Sequence, residues 1–148
     1  MNGQLTYQDY KEFFTKMKYA NHFSDYHEQV RMMKNFDRLV DSMEIVEFYP
    51  KNSFIREALT SLYVFTEKKL VKISEYDKRV KFDVFNYNDI QTLNLETQDY
   101  YGSGRSALNI QFSNGEQVYL NSNEDTDDDW EDTFEDKIVK IFNFLLTK

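Results

Sequence analysis

Cysteine is absent from the 148 residues, proline occurs once, glycine four times and histidine twice. Without cysteine there is no disulfide framework, no thiolate nucleophile and no Cys-based zinc or iron–sulfur site. His22 and His27 lie five residues apart across a predicted helix start. Helix-borne zinc ligands share a face at a spacing of about four, so these two are expected to be surface or capping residues. No apolar stretch exceeds three or four residues, far short of the roughly 20 needed to cross a bilayer. The start MNGQLTYQDYKEFF is polar where a signal peptide would be basic and then apolar, so cytoplasmic residence is expected. Neither a Gly-x-Ser-x-Gly elbow nor a phosphate-binding loop occurs, and Gly102-Ser103-Gly104 has the composition of a flexible loop. No catalytic residue, metal or cofactor is therefore expected, and the protein is predicted not to be an enzyme.

What is present is aromatic and acidic. Thirteen Phe, eleven Tyr and one Trp supply large rings for one core, and 26 acids against 18 Lys and Arg leave a net charge of −8. That balance argues against nucleic-acid backbones and anionic lipid, both of which demand local positive charge.

Along the chain, residues 5–19 carry Tyr10, Phe13, Phe14 and Met17 at helical spacing, with Thr6 and Asp9 placed to cap. After a break at Asn21-His22-Phe23-Ser24, Tyr26, Val30, Met33, Phe36, Val40 and Met43 repeat the pattern, predicting an αα-hairpin over 1–43. From Glu44 the period changes to alternation, so a second unit is expected over 44–148, the two folding together. Its strands are predicted at 44–49, ended by Pro50, and at 61–66, 69–74, 79–85 and 91–96. In the fourth, Val80, Phe82 and Val84 are expected to face one way and charges the other. A loose loop is expected at 100–104. Leu108, Ile110 and Phe112 alternate up to Asn114-Gly115, and Val118 and Leu120 alternate back, predicting a hairpin on a two-residue turn. Trp130, Phe134, Ile138, Ile141, Phe142 and Leu145 then describe an amphipathic helix. The sum is an α+β chain: a helical hairpin, then a curved antiparallel sheet or open barrel of six to seven strands closed by a C-terminal helix.

Residues 44–146 resemble the bacterial pleckstrin-homology-like domains. The resemblance is carried by Leu62 to Leu70, by Phe85-Asn86-Tyr87-Asn88-Asp89-Ile90, by the Leu108 to Leu120 hairpin and by the helix from Trp130. It implies a fold shared by many functions and supplies none by itself. The chain also lacks the dense basic loop of lipid-binding members.

The outstanding functional feature is Glu124-Asp125-Thr126-Asp127-Asp128-Asp129-Trp130-Glu131-Asp132, continued by Glu135 and Asp136: nine acids in thirteen residues and no base. Residues 1–115 hold 16 acids against 15 bases, so the excess charge is concentrated in this run. Acids here suit first the start of a helix and a solvated loop, since the helix dipole favours negative charge, and second a docking surface for a basic partner. A calcium-loop template over Asn121, Asn123, Asp125, Asp129 and Asp132 has Thr126 where glycine is needed and Asp132 where a bidentate Glu is needed, so no metal is assigned. Lys68, Lys69, Lys72, Lys78, Arg79 and Lys81 read as a solvated strand face, interleaved as they are with acids. Glu124, Asp125, Asp127, Asp128, Asp129, Glu131 and Asp132 are thus the expected partner-binding residues of an interaction module for a protein or peptide. The alternatives are an immunity or inhibitor-type protein using the same acidic surface, and peripheral membrane or lipid binding. The aromatic first helix with Lys11, Lys16 and Lys18 bears on the last, although Asp9 and Glu12 dilute its charge and packing of the helices on each other or on the sheet explains it better.

Overall fold

The rings and the alternating segments assemble into three α-helices and seven strands in a computed structural model that describes residues 4–20, 27–39, 44–55, 58–100 and 103–148. Helix α1 (Tyr7–Ala20) opens on the expected reciprocal cap. The Thr6 amide donates to the Asp9 carboxylate at 3.0 Å and the Asp9 amide to Thr6 Oγ1 at 3.2 Å, which satisfies two of the donors that a helix start leaves open. Helix α2 spans His27–Leu39. The predicted break at residues 21–24, with Tyr26, Val40 and Met43, lies outside the described residues. Tyr7 Oη donates to Asp37 Oδ1 at 2.8 Å, and Lys11 pairs with Asp37 at 2.6 Å. The start of α1 thus meets the last turns of α2, as in an antiparallel pair.

Strands β1 (Ile45–Lys51), β2 (Ser61–Thr66), β3 (Lys69–Tyr76) and β4 (Arg79–Asn86) form one antiparallel sheet in that order, and β5 (Ile90–Tyr100), β6 (Ser103–Phe112) and β7 (Gln117–Asn121) form a second. The strands therefore divide four and three between two sheets, and no closed barrel forms among the described residues. Helix α3 (Glu131–Leu146) buries Phe134, Ile138, Ile141 and Leu145.

Partner registers show what lies on each side of the first sheet. Phe48, Val64 and Val71 are opposite one another and share a face, and Tyr7 and Tyr10 of α1 stand edge-on to Phe48 at 5.3 and 5.1 Å. Tyr49, Tyr63 and Phe65 occupy the other face, where Tyr49 meets Phe134 of α3 at 4.9 Å and Phe85 stacks on Phe112 of the second sheet at 4.6 Å. With both faces covered, β2 is buried from Leu62 to Thr66. Its unbroken apolar run is the signature of that position.

Four local expectations need correction. Pro50 does not end β1, which continues to Lys51 paired with Ser61. β1 is an edge strand of this sheet, and an edge tolerates a residue without an N–H. Of the loop predicted at 100–104, Tyr100, Ser103 and Gly104 belong instead to paired strands, with Asp99 opposite Gly104 and Tyr100 opposite Ser103, while residues 101–102 lie outside the described residues. At Asn114-Gly115 only glycine has a positive φ, 91°. Its amide bonds Phe112 O at 3.0 Å and the Phe112 amide bonds Glu116 O at 2.9 Å, giving a longer turn with a glycine bulge rather than the two-residue form. In β4, Val80 and Phe82 pack against the core but Val84 is exposed.

Candidate functional site

The acidic run occupies the connection from β7 to α3, and the structure separates its members into one anchor and a set of outward charges. Asp125 is buried. Its Oδ2 accepts from Tyr49 Oη and from the Asn121 amide, each at 2.7 Å, and its Oδ1 stands 3.6 Å from Lys51 Nζ. Its carbonyl accepts from the Asn52 amide at 2.8 Å, tying the turn to the end of β1. Burial raises the pKa of Asp125, against the lowering effect of the Asn121 amide and of Lys51. Burial and the adjacent carboxylate likewise hold the Tyr49 hydroxyl well above its ordinary range. Asp125, expected on the binding surface, is therefore turned inward, and the residue that looked like one acid among nine is the internal fastener of the loop.

Glu124, Asp127, Asp128, Asp129 and Asp132 are exposed, and Glu131 is half-buried. They sit before and within the first turn of α3, where unpaired helix N–H groups favour anions. Partial burial and the neighbouring Asp129 carboxylate raise the pKa of Asp127. The segment is held from beneath by Trp130, which stacks on Phe54 at 5.2 Å, while Phe54 also meets Phe14 of α1 at 5.7 Å. Of the calcium-loop template, Asn121 Oδ1 accepts from the amides of Asn123 and Glu124 at 2.9 and 3.1 Å, and Asp125 is engaged as above. Among the described residues, no three His, Cys, Asp or Glu side chains converge on a cation position.

A second locus escaped the sequence reading. A cleft of about 370 Å³ runs beside β1, lined by Ile45, Val46, Glu47 and Phe48, by Gln4, Thr6 and Tyr7 ahead of and within α1, and by Asp136, Lys137 and Lys140 of α3. Lys137 is buried, and its Nζ lies 2.8 Å from Glu47 Oε1. Burial lowers its pKa and the Glu47 carboxylate opposes that shift. The same Oε1 accepts from the Phe48 amide at 3.1 Å. The signal was present in the sequence: Lys137 stands three residues after Phe134 and four before Ile141, inside the apolar stripe of α3.

A sequence profile described as a protein of unknown function, DUF3908, matches residues 6–136, from the α1 cap to the second turn of α3. The chain belongs to the DUF3908 family. No curated protein and no solved structure is significantly similar to it. The DUF3908 match includes both the Asp125 anchor and the β1 side of the cleft. No helix among the described residues of this DUF3908 chain is long and apolar enough to cross a membrane.

Proposed function

We propose that this DUF3908 protein is a non-enzymatic interaction module of pleckstrin-homology-like build. On this reading it works in the cytoplasm and binds a protein partner through the acidic corner formed by Glu124, Asp127, Asp128, Asp129, Glu131 and Asp132. Support for the build comes from four-stranded and three-stranded antiparallel sheets with a helix closing the chain. The observation that carries the docking surface is the division of labour within the run. One carboxylate, Asp125, fixes the turn from inside, so the remaining charges are presented on a held support. A basic partner would be steered to such a corner, with association falling as salt screens it. An immunity or inhibitor role is the special case in which that partner is a toxin with a basic active site. Lipid binding is less well supported: Lys69 is opposite Asn86 at one end of the β3–β4 pair and Arg79 is opposite Tyr76 at the other. The bases therefore do not gather into one patch.

The test is capture from lysate of the source cells with the tagged full chain, beside a form carrying Asp127→Asn, Asp128→Asn and Asp129→Asn. One protein recovered in near-stoichiometric amount and lost with the triple variant is the expected result. Equal recovery by both forms would remove the acidic corner from the account.

A further inference from the structure

We propose that Glu28 of α2 and Glu75 of β3 hold one proton between them, a clasp that fastens the helical hairpin to the first sheet and loosens as that proton leaves. The clasp uses no residue of the acidic corner and holds or fails independently of it.

Spacing brings the groups together. Glu28, Arg31 and Met32 stand at i, i+3 and i+4 of α2 and share one face, and Met32 is fully buried, so that face looks inward. Glu75 alternates with the buried Val71 and Ile73 on the helix-covered face of β3, and α2 packs against β3 and β4. The acid thus occupies a position that the alternation assigns to an apolar residue, and its side chain is only 8% exposed. Arg31 reaches it with Nη2, 2.6 Å from Oε1. The pair is not a two-pronged one: Arg31 Nε and Glu75 Oε2 are both buried with no hydrogen-bond partner among the described residues. The Glu28 carboxylate accepts from the Thr60 amide, while its Oε1 is likewise buried and has no partner among the described residues. Gln29 Nε2 donates to Thr60 Oγ1 at 3.3 Å, so Thr60 fixes the start of α2 at two points.

Two carboxylates and one guanidinium leave an excess of one negative charge, and the two orphaned carboxylate oxygens are acceptors that each lack a donor. One proton answers both: on Glu28 Oε1 it cancels the excess charge and supplies Glu75 Oε2 with a donor. Carboxylates that share an enclosed site do not both ionise freely. Burial first, and the Glu75 charge second, raise the Glu28 pKa, the direction that retention of a proton requires.

The other described groups around the pair do not take over this task. On α1, the Tyr10 hydroxyl is bonded to Ser53 Oγ at 2.8 Å, and burial, then the Glu28 charge, keep it neutral. On β4, the residue opposite Glu75 is Val80, and Asp77, Lys78 and Arg79 at the turn are exposed, as is His27 at the start of α2. His22, Asp25, Arg56 and Glu57 lie outside the described residues. When Glu28 ionises, like charges face one another between α2 and β3, and opened forms of α2, in which Glu28 titrates in its ordinary range, gain in population. The clasp is therefore fully closed below the ordinary Glu range and is lost as pH rises through the raised value.

The experiment follows the carboxyl carbons of Glu28 and Glu75 by NMR in the full chain from about pH 4 to about pH 8, with hydrogen exchange of the α2 amides over the same range. Both carbons are expected to step at one common midpoint above the ordinary Glu range, because the proton belongs to the pair. Protection of α2, corrected for intrinsic exchange, should fall through that midpoint by about tenfold for each pH unit by which it is raised. Glu28→Gln, which keeps a donor and cannot ionise, should abolish the fall. A Glu28 midpoint within or below the ordinary range, as a base from residues 21–26 or 56–57 would produce, would overturn the proposal. So would a Glu75 carbon that is silent at the Glu28 midpoint, or α2 protection with the same pH dependence in Glu28→Gln as in the parent.

Discussion

Replacing Asp125 by Ala removes in one step the acceptor of Tyr49 Oη, of the Asn121 amide and of Lys51. Breaking a buried, hydrogen-bonded charge pair in this way costs roughly 3 kcal/mol. Asp128→Asn, three residues on and exposed, should stay within about 0.5 kcal/mol of the parent. Urea denaturation of the two variants measures the contrast, and similar midpoints would mean that Asp125 does not fasten the loop. Glu28 gives a pH prediction. It lies in α2 beside the Arg31–Glu75 pair, which closes at 2.6 Å, and Glu28 Oε1 and Glu75 Oε2 are both buried with no hydrogen-bond partner among the described residues. Burial first, and the Glu75 charge second, raise the Glu28 pKa. A raised folded-state pKa means that the folded form holds the proton more tightly, so this group's stabilisation is complete below the ordinary Glu range and is lost as pH rises through the raised value. Glu28→Gln, neutral throughout, should therefore stabilise the protein at pH 7, with an advantage that shrinks toward pH 4. Melting curves of parent and variant across that range would show it. A constant difference would mean that Glu28 titrates normally. Neither residue's role was readable beforehand: the sequence shows Asp125 as one acid in a run and Glu28 as one polar residue of a helix, and only the fold decides which is enclosed.

At the scale of elements, Phe54 joins parts distant in sequence. It stacks on Trp130 at 5.2 Å and stands within ring contact of Phe14 and Phe134 at 5.7 and 6.5 Å. Phe54→Ala should cost about 3 kcal/mol, and hydrogen exchange should accelerate first at the start of α3, where the Trp130 support is lost. Uniform acceleration would show that Phe54 does not brace this corner in particular. The elements themselves were largely legible, for distinct physical reasons. The α1 cap follows from Thr6 and Asp9 alone, and β6 and β7 from alternation in which every second residue is buried. What the pattern missed were contextual choices. Asp77 and Lys78 both adopt positive φ, 49° and 62°, to close the β3–β4 turn without glycine. Gly115 took a bulged turn, with only its own φ positive, although Asn-Gly fits the tighter form. Pro50 remained inside a strand because, among the described residues, no strand pairs with β1 on its outer side.

For the whole molecule, the αα-hairpin and the sheets share one core in which Tyr10, Phe14, Met32 and Phe36 are buried together with Phe48, Val64 and Val71. Removing residues 1–43 would expose that face of the first sheet, so a clear fall in melting temperature is expected. An unchanged melting curve would mean that the hairpin covers nothing essential. The sequence contained the reasons for seven strands and a closing helix, but not their division into two sheets, since alternation reports which residues are covered and not by what. It likewise located the acidic run but not the cleft, whose walls come from residues 4–7, 45–48 and 136–140 and meet only after folding. The outward acids form a docking surface only if they meet a partner. The most direct measurement is site-specific photocrosslinking in the source cells, with a photoreactive side chain in place of Asp128 and, as control, of the exposed Lys81 on β4. A single discrete adduct from position 128 and none from position 81 is the predicted result. No adduct at 128, or the same adducts from both positions, would contradict the claim that this corner is the docking surface.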